Sequence, residues 1–208
     1  MAQLFCLHPA NPQLRLLRQA AQLIDHGAVA VVPTDSCYAL ACHLDDKPAV
    51  DRLRRIRNVD ANHHLTLLCR DLSEISDYAK VDNARYRMIR QATPGPYTFI
   101  LEATKEVPRR LAHKSRKTIG IRVPSHPALQ GLLEVLGQPL ISTTLLLPGD
   151  ELPLTQIEDI RPRLEREVDL IVDAGACTTA HTTVLDLTGR EGVVVREGLG
   201  SLEALGLA

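Results

Sequence analysis

Arginines and hydroxyl side chains gather where the apolar runs of this 208-residue chain end. Thr34 and Ser36 follow AVAVV in the stretch PTDSCYAL, and Thr118 and Arg122 alternate with apolar residues in TIGIRVP. Ser142, Thr143 and Thr144 fall together in LISTTLLL, Thr182 and Thr183 open TTVLDLT, and Arg196 follows three valines in VVVRE. Guanidinium and hydroxyl donors in this number suit the binding of anionic oxygens, whether of carboxylate, carbonate or phosphate. In a strand, alternation aims Arg122 to the same side as Thr118 and Gly120, and a half-buried guanidinium needs an anionic or carbonyl partner. A plainer reading stays open for the hydroxyls. Thr and Ser in strands also cap turns and pair across strands, and PTDSCYAL has the composition of an ordinary turn.

Other chemistries lack their equipment. The chain has no G-x-S-x-G elbow, and Cys37 has no evident His partner, which disfavours a nucleophilic enzyme. It has neither a Walker loop nor G-x-G-x-x-G. Cys6, Cys37, Cys42, Cys69 and Cys177 are an odd number at irregular spacing, which fits a reducing cytoplasm rather than a disulfide framework. Cys42 adjoins His43, but no second ligand pair follows at zinc spacing, so no metal site is expected. The run of residues contains no charged-then-apolar leader and no apolar span of bilayer length, so a soluble protein without a membrane partner is expected.

The formal net charge of −1 gives the molecule no overall field for nucleic acid, and 3% aromatic content without Trp disfavours a base-stacking platform. Two local basic patches remain. DRLRRIRN supplies Arg52, Arg54, Arg55 and Arg57, and PRRLAHKSRK supplies Arg109, Arg110, Lys114, Arg116 and Lys117. Each is either a phosphate grip or a solvated face.

These residues must be positioned by alternating helices and strands. With 45% hydrophobic residues, the chain suits one domain spanning residues 1–208. Helical spacing runs from Asn11 to Ile24, from Lys47 to Arg57, from Asp71, from Asn83 to Gln91, and from His126 to Leu136. PLTQIEDIRPRLEREV reads as a charged helix, and a short helix closes the chain. AVAVV, YALACHL, LTLLC, YTFILEA, TIGIRVP, LISTTLLL, LIVDAG, TTVLDLT and VVVRE read as strands. The last two follow one another without a crossover helix, which predicts a mixed sheet.

In order along the chain, VVPTDSCYAL, RIRNVDANHHLTLL, TPGPYTFIL, TIGIRVPSHP, PLISTTLLLPG, TTVLDLT and VVVREG resemble the blocks of the YrdC/YciO family. The best known members are threonylcarbamoyl-adenylate synthases, and HPANPQ and STTLLLPG are closest to the YciO branch. The resemblance implies an α/β fold: a YrdC-like twisted mixed β-sheet with flanking helices, enclosing a concave, positively charged cavity. It implies condensation of L-threonine, bicarbonate and ATP, with Mg2+, to threonylcarbamoyl-AMP and pyrophosphate, an intermediate in tRNA modification.

Carried over residue by residue, Thr34, Tyr38, Arg122, Ser142 and Thr182 would bind threonine. Arg55, Arg57, Asn62, Thr118, Thr144 and Arg196 would bind ATP. Two positions depart from the synthases: Arg55-Ile56-Arg57 stands where they have K-x-R, and Thr144-Leu145-Leu146 where they have S-x-N. Leu146 removes an amide that would bond a nucleotide oxygen or a metal-bound oxygen. Family members are also described as binding double-stranded RNA, and that alternative would use Arg52, Arg54, Arg109, Arg110, Lys114 and Lys117 on duplex RNA or tRNA.

Overall fold

Apolar stripes and stop signals account for the helices. The computed structural model describes residues 1–113, 115–189 and 191–207. After strand β1 (Gln3–Cys6), helix α1 (Leu14–Asp25) buries Leu17, Ala20, Ala21 and Ile24, one face at 3.6-residue spacing. Strands β2 (Ala30–Val32) and β3 (Ala39–His43) lead to α2 (Lys47–Arg57). Asp46 caps α2 by accepting from the Ala49 amide at 2.9 Å, and Asn58 ends it in the left-handed region. Arg54, Arg55 and Arg57 fall in its last turn, where the helix dipole favours cations.

Next come β4 (Thr66–Leu68), α3 (Leu72–Tyr78), α4 (Asn83–Ala92), β5 (Tyr97–Glu102) and β6 (Thr118–Arg122). They are followed by α5 (Pro127–Leu136), β7 (Leu140–Thr144), α6 (Ile157–Leu164), β8 (Leu170–Asp173), β9 (Thr183–Asp186) and β10 (Val193–Arg196). The expected elements are present with trimmed ends. Helix α1 starts at Leu14 rather than Asn11, and α6 keeps only the central part of its charged segment. The C-terminal helix is a short 3-10 turn, Glu203–Leu205. Strand β1 is an addition to the sequence reading.

All ten strands join one mixed sheet in the order β1-β8-β2-β3-β7-β4-β6-β5-β9-β10. β9 and β10 pair antiparallel, as the missing crossover helix requires, whereas β5 and β9 pair parallel. One face of the sheet rests on α2, α3, α4 and α6: Leu53, Ile56, Ile75, Ile89, Ile160 and Leu164 pack with Leu67, Phe99, Ile119, Ile121 and Ile141. The other face divides in two. Over one half lie α1 and α5, whose Leu17, Ile24, Leu129 and Leu133 meet Ala30, Val32, Ala39, Ala41, Leu140, Leu170 and Val172. Among the described residues no helix covers the other half, and the cavity lies there.

Candidate functional site

Pairing across the ladders decides which side chains look into that cavity, because residues opposite one another share a face. One row runs Ala41, Ser142, Thr66, Gly120 and Ile100. A neighbouring row contains Leu68 beside Arg122 and Val184 beside Arg196, with Thr98 opposite Val184. The cavity above them is about 600 Å³, the size of a small-molecule site. Gly120 keeps its floor low. A Cβ there would stand 2.9 Å from Thr66 Oγ1 and 3.2 Å from the Leu65 carbonyl oxygen.

The loop after β2 builds one end. Thr34 Oγ1 donates to the Cys37 carbonyl at 2.7 Å and accepts from the Ser36 amide at 3.0 Å, which folds PTDSC into a tight turn. That turn presents Asp35 and Thr34 to Arg122. Arg122 Nη2 reaches Thr34 Oγ1 at 3.3 Å and ion-pairs with Asp35. The other Asp35 oxygen accepts from the Ser125 amide at 3.0 Å and the Ser125 hydroxyl at 2.8 Å. Arg122 Nε is buried without a partner. Tyr38 lines the wall, but its hydroxyl donates to the Gly175 carbonyl at 2.7 Å, and burial holds the phenol pKa above its usual value. It is therefore a protonated, fixed wall residue. Behind the turn, burial pushes the Cys177 thiol up to about 11, so it is no ready thiolate.

The wall also carries Arg57 and Arg196. Arg57 Nε is buried and unpartnered, while Arg196 holds the Thr182 carbonyl through Nε at 3.2 Å and Nη2 at 3.1 Å. Thr182 Oγ1 in turn meets Thr98 Oγ1 at 2.9 Å. Three histidines complete the wall: His63, His64 and His181. Burial lowers the pKa of each, aided by Arg57 and Arg54 at His63, His113 and Arg116 at His64, and Arg196 at His181. They are neutral near pH 7. The described wall residues include three arginines and no carboxylate. Guanidinium and hydroxyl donors of this kind suit anionic oxygens through charge and hydrogen bonding.

The Sua5/YciO/YrdC family model, described as "Telomere recombination", matches residues 22–198. This chain belongs to that family. The YciO protein of Escherichia coli strain K12 is 53% identical over 203 residues, covering 98% of each chain. Its crystal structure superposes with a TM-score of 0.95 over 99% of this chain and 100% of that one. A threonylcarbamoyl-AMP synthase of Vibrio vulnificus is 28% identical over 159 residues, 75% of this chain and 84% of the other. The fold of P. abyssi Sua5, in its crystal structure complexed with L-threonine, matches with a TM-score of 0.86 at 24% identity, over 95% of this chain and 58% of that one.

Of the residues that the family resemblance singled out, Tyr38, Arg122, Ser142, Thr182, Arg57, Thr144 and Arg196 line this cavity, and Thr34 bonds to Arg122 at its edge. Leu146 also faces the cavity. Thr118 is buried on β6 with its hydroxyl unpartnered, beyond the wall. Arg55 is exposed on α2, and Asn62 is exposed in the following loop, bonded to Asp60. Both stand outside the wall.

The residues named for RNA are scattered. Arg52 ion-pairs with Asp169, Arg54 donates to the Asp60 carbonyl at 2.5 Å, and Arg110 donates to the Leu44 carbonyl at 2.8 Å. Arg109 and Lys117 are exposed, and Lys114 lies outside the described residues. Sequence reasoning missed Asp35, Thr66, Thr98 and the three wall histidines. Strand alternation would have found Thr66 and Thr98. Nothing local marked Asp35, whose partners are 87 and 90 positions away.

Proposed function

We propose that this cavity binds ATP together with L-threonine and bicarbonate and forms threonylcarbamoyl-AMP, with release of pyrophosphate. The observation that carries the reading is the cavity wall: Arg57, Arg122 and Arg196 with several hydroxyls and no carboxylate, at about 600 Å³. Kinship with a threonylcarbamoyl-AMP synthase supports it.

In this reading Arg122, fixed by Asp35 and Thr34, receives the threonine carboxylate through its remaining N–H groups. Ser142 and Thr182 position the rest of the amino acid. The amine and bicarbonate combine with loss of water to a carbamate. A carbamate oxygen then attacks the α-phosphorus, and the bond from that phosphorus to pyrophosphate breaks. Arg57 and Arg196 stabilise charge on the phosphates, a task of positioning and electrostatics rather than covalent catalysis. The neutral wall histidines are able to take up the proton that the ammonium must lose. Magnesium would arrive on the phosphates of ATP, where it would offset part of their charge.

The test is incubation of the purified protein with ATP, Mg2+, L-threonine and bicarbonate, following pyrophosphate and the adenylate by mass spectrometry. Product that requires all three substrates supports the reading. Its absence from folded protein sinks it. Duplex RNA as the principal ligand has less behind it, since three of the six basic residues in question are engaged with protein oxygens.

A further inference from the structure

The three wall arginines differ in one respect. Arg57 and Arg196 have no ion-pair partner among the described residues, whereas Arg122 is paired with Asp35. Both members of that pair are nearly out of water, with side chains 8% and 12% exposed. Asp35 is also held from behind by the amide and hydroxyl of Ser125. Its carboxylate therefore cannot swing away when a ligand approaches.

We propose that Asp35 is a specificity-determining residue: by cancelling one guanidinium charge it makes the Arg122 end of the cavity select a singly charged carboxylate over a phosphate. The inference rests on the amino-acid and ATP reading above and adds a rule for sorting two anions within one cavity.

The geometry supplies the reason. Arg122 Nη2, which belongs to both two-donor faces of the guanidinium, is occupied by Asp35 and Thr34, and this leaves Nη1 to meet a ligand. One donor on a guanidinium whose charge is already balanced suits one oxygen of a singly charged carboxylate. A phosphoryl group brings a third oxygen and up to two charges toward Asp35, and like charges repel strongly where water is scarce. Arg57 and Arg196 carry no such counter-charge among the described residues. Phosphates are drawn to them, and the amino-acid subsite stays free of the nucleotide's polyanionic tail.

Isothermal titration of the protein with L-threonine, and with the analogue whose carboxylate is replaced by phosphonate, tests this at a pH where the phosphonate is doubly charged. The wild-type protein is expected to bind threonine more tightly. In Asp35→Asn the ratio of the two dissociation constants should move about tenfold toward the phosphonate. Ser125→Ala, which loosens Asp35 without removing its charge, should move the ratio the same way by about threefold. A merely structural Asp35 would weaken both ligands alike and leave the ratio fixed. An unchanged ratio in folded Asp35→Asn, or in Ser125→Ala if the first variant does not fold, overturns the inference while threonine binding by the wild type keeps the underlying reading. Wild-type protein that prefers the phosphonate also overturns it. Wild-type protein that binds neither compound overturns the amino-acid reading and the inference with it.

Discussion

Two halves of one sheet face meet where Ala41 pairs with Ser142 and Leu68 pairs with Arg122. On one side of that seam the strands carry Ala30, Val32, Ala39, Leu170 and Val172 beneath α1 and α5. On the other they carry Thr66, Thr98, Gly120, Arg122 and Ser142 beneath a cavity. Backbone pairing is continuous across the seam, so the ladder does not distinguish the halves. Side-chain chemistry does. Apolar strands are stabilised by a helical cover at roughly 25 cal/mol per Å² buried, whereas a hydroxyl or guanidinium under an apolar helix would lose its hydration without replacement. The close approach of α1 to α5, where a Cβ on Gly131 would stand 2.8 Å from Leu17 Cδ1, seals one half as firmly as Gly120 opens the other.

If the halves have separate duties, changes in the covered half should act on stability and changes in the open half on ligands. The largest effect should come from carrying a charge across the seam. Ala41→Asp would place an unpaired carboxylate at a position with no solvent exposure, and a loss of about 5 kcal/mol in urea unfolding is expected. A fully stable variant would mean that α5 lifts readily, and the contrast between the halves would fail. Leu133→Ala on the same cover should cost about 3 kcal/mol through the void left behind, with ligand affinity retained in the folded fraction.

In the open half, Arg122→Ala should lower threonine-dependent pyrophosphate release by about a hundredfold, the usual size of a lost charge-stabilising donor. A variant with wild-type turnover would move the carboxylate subsite elsewhere. The reverse change sharpens the point. Leu146→Asn introduces, at a position in the cavity wall, the amide that the family resemblance implies for the S-x-N block, and product formation should rise about tenfold. An unchanged rate would show that another donor already serves the nucleotide.

The smallest effect concerns pH. His63, His64 and His181 have folded pKa values below the unfolded value of 6.5, with burial as the leading cause. The unfolded chain then binds more protons as pH falls, so their share of stability is complete above pH 6.5 and declines below it. The melting temperature should drop between pH 7.5 and 5.5, by less in His181→Gln. An equal drop in both would remove His181 from that account.

Local patterns made much of the molecule legible. Helix α2 was readable to its ends, because its cap, apolar face and final arginines are all local. Strand β1 was not, since its four residues are partly exposed and its partner β8 lies more than 160 positions away. The same distinction divides the site. Arg122 stood out through alternation within one strand, but Asp35 was an ordinary turn residue until the fold placed it against β6. Arg52 and Arg57 belong to one basic run, yet Arg52 pairs with Asp169 and Arg57 enters the cavity.

The amino-acid order by itself determined that Thr118, Gly120 and Arg122 share a face, that most helices and strands lie where they do, and that arginines and hydroxyls gather where the strands end. These follow from the two- and 3.6-residue periods and from side-chain type. Tertiary structure alone decided the strand order, which half of the sheet face is covered, and which arginines keep their charge free. Each of those depends on partners tens to more than a hundred residues apart, and only the packed fold brings such groups within the few ångströms over which ion pairs and hydrogen bonds act.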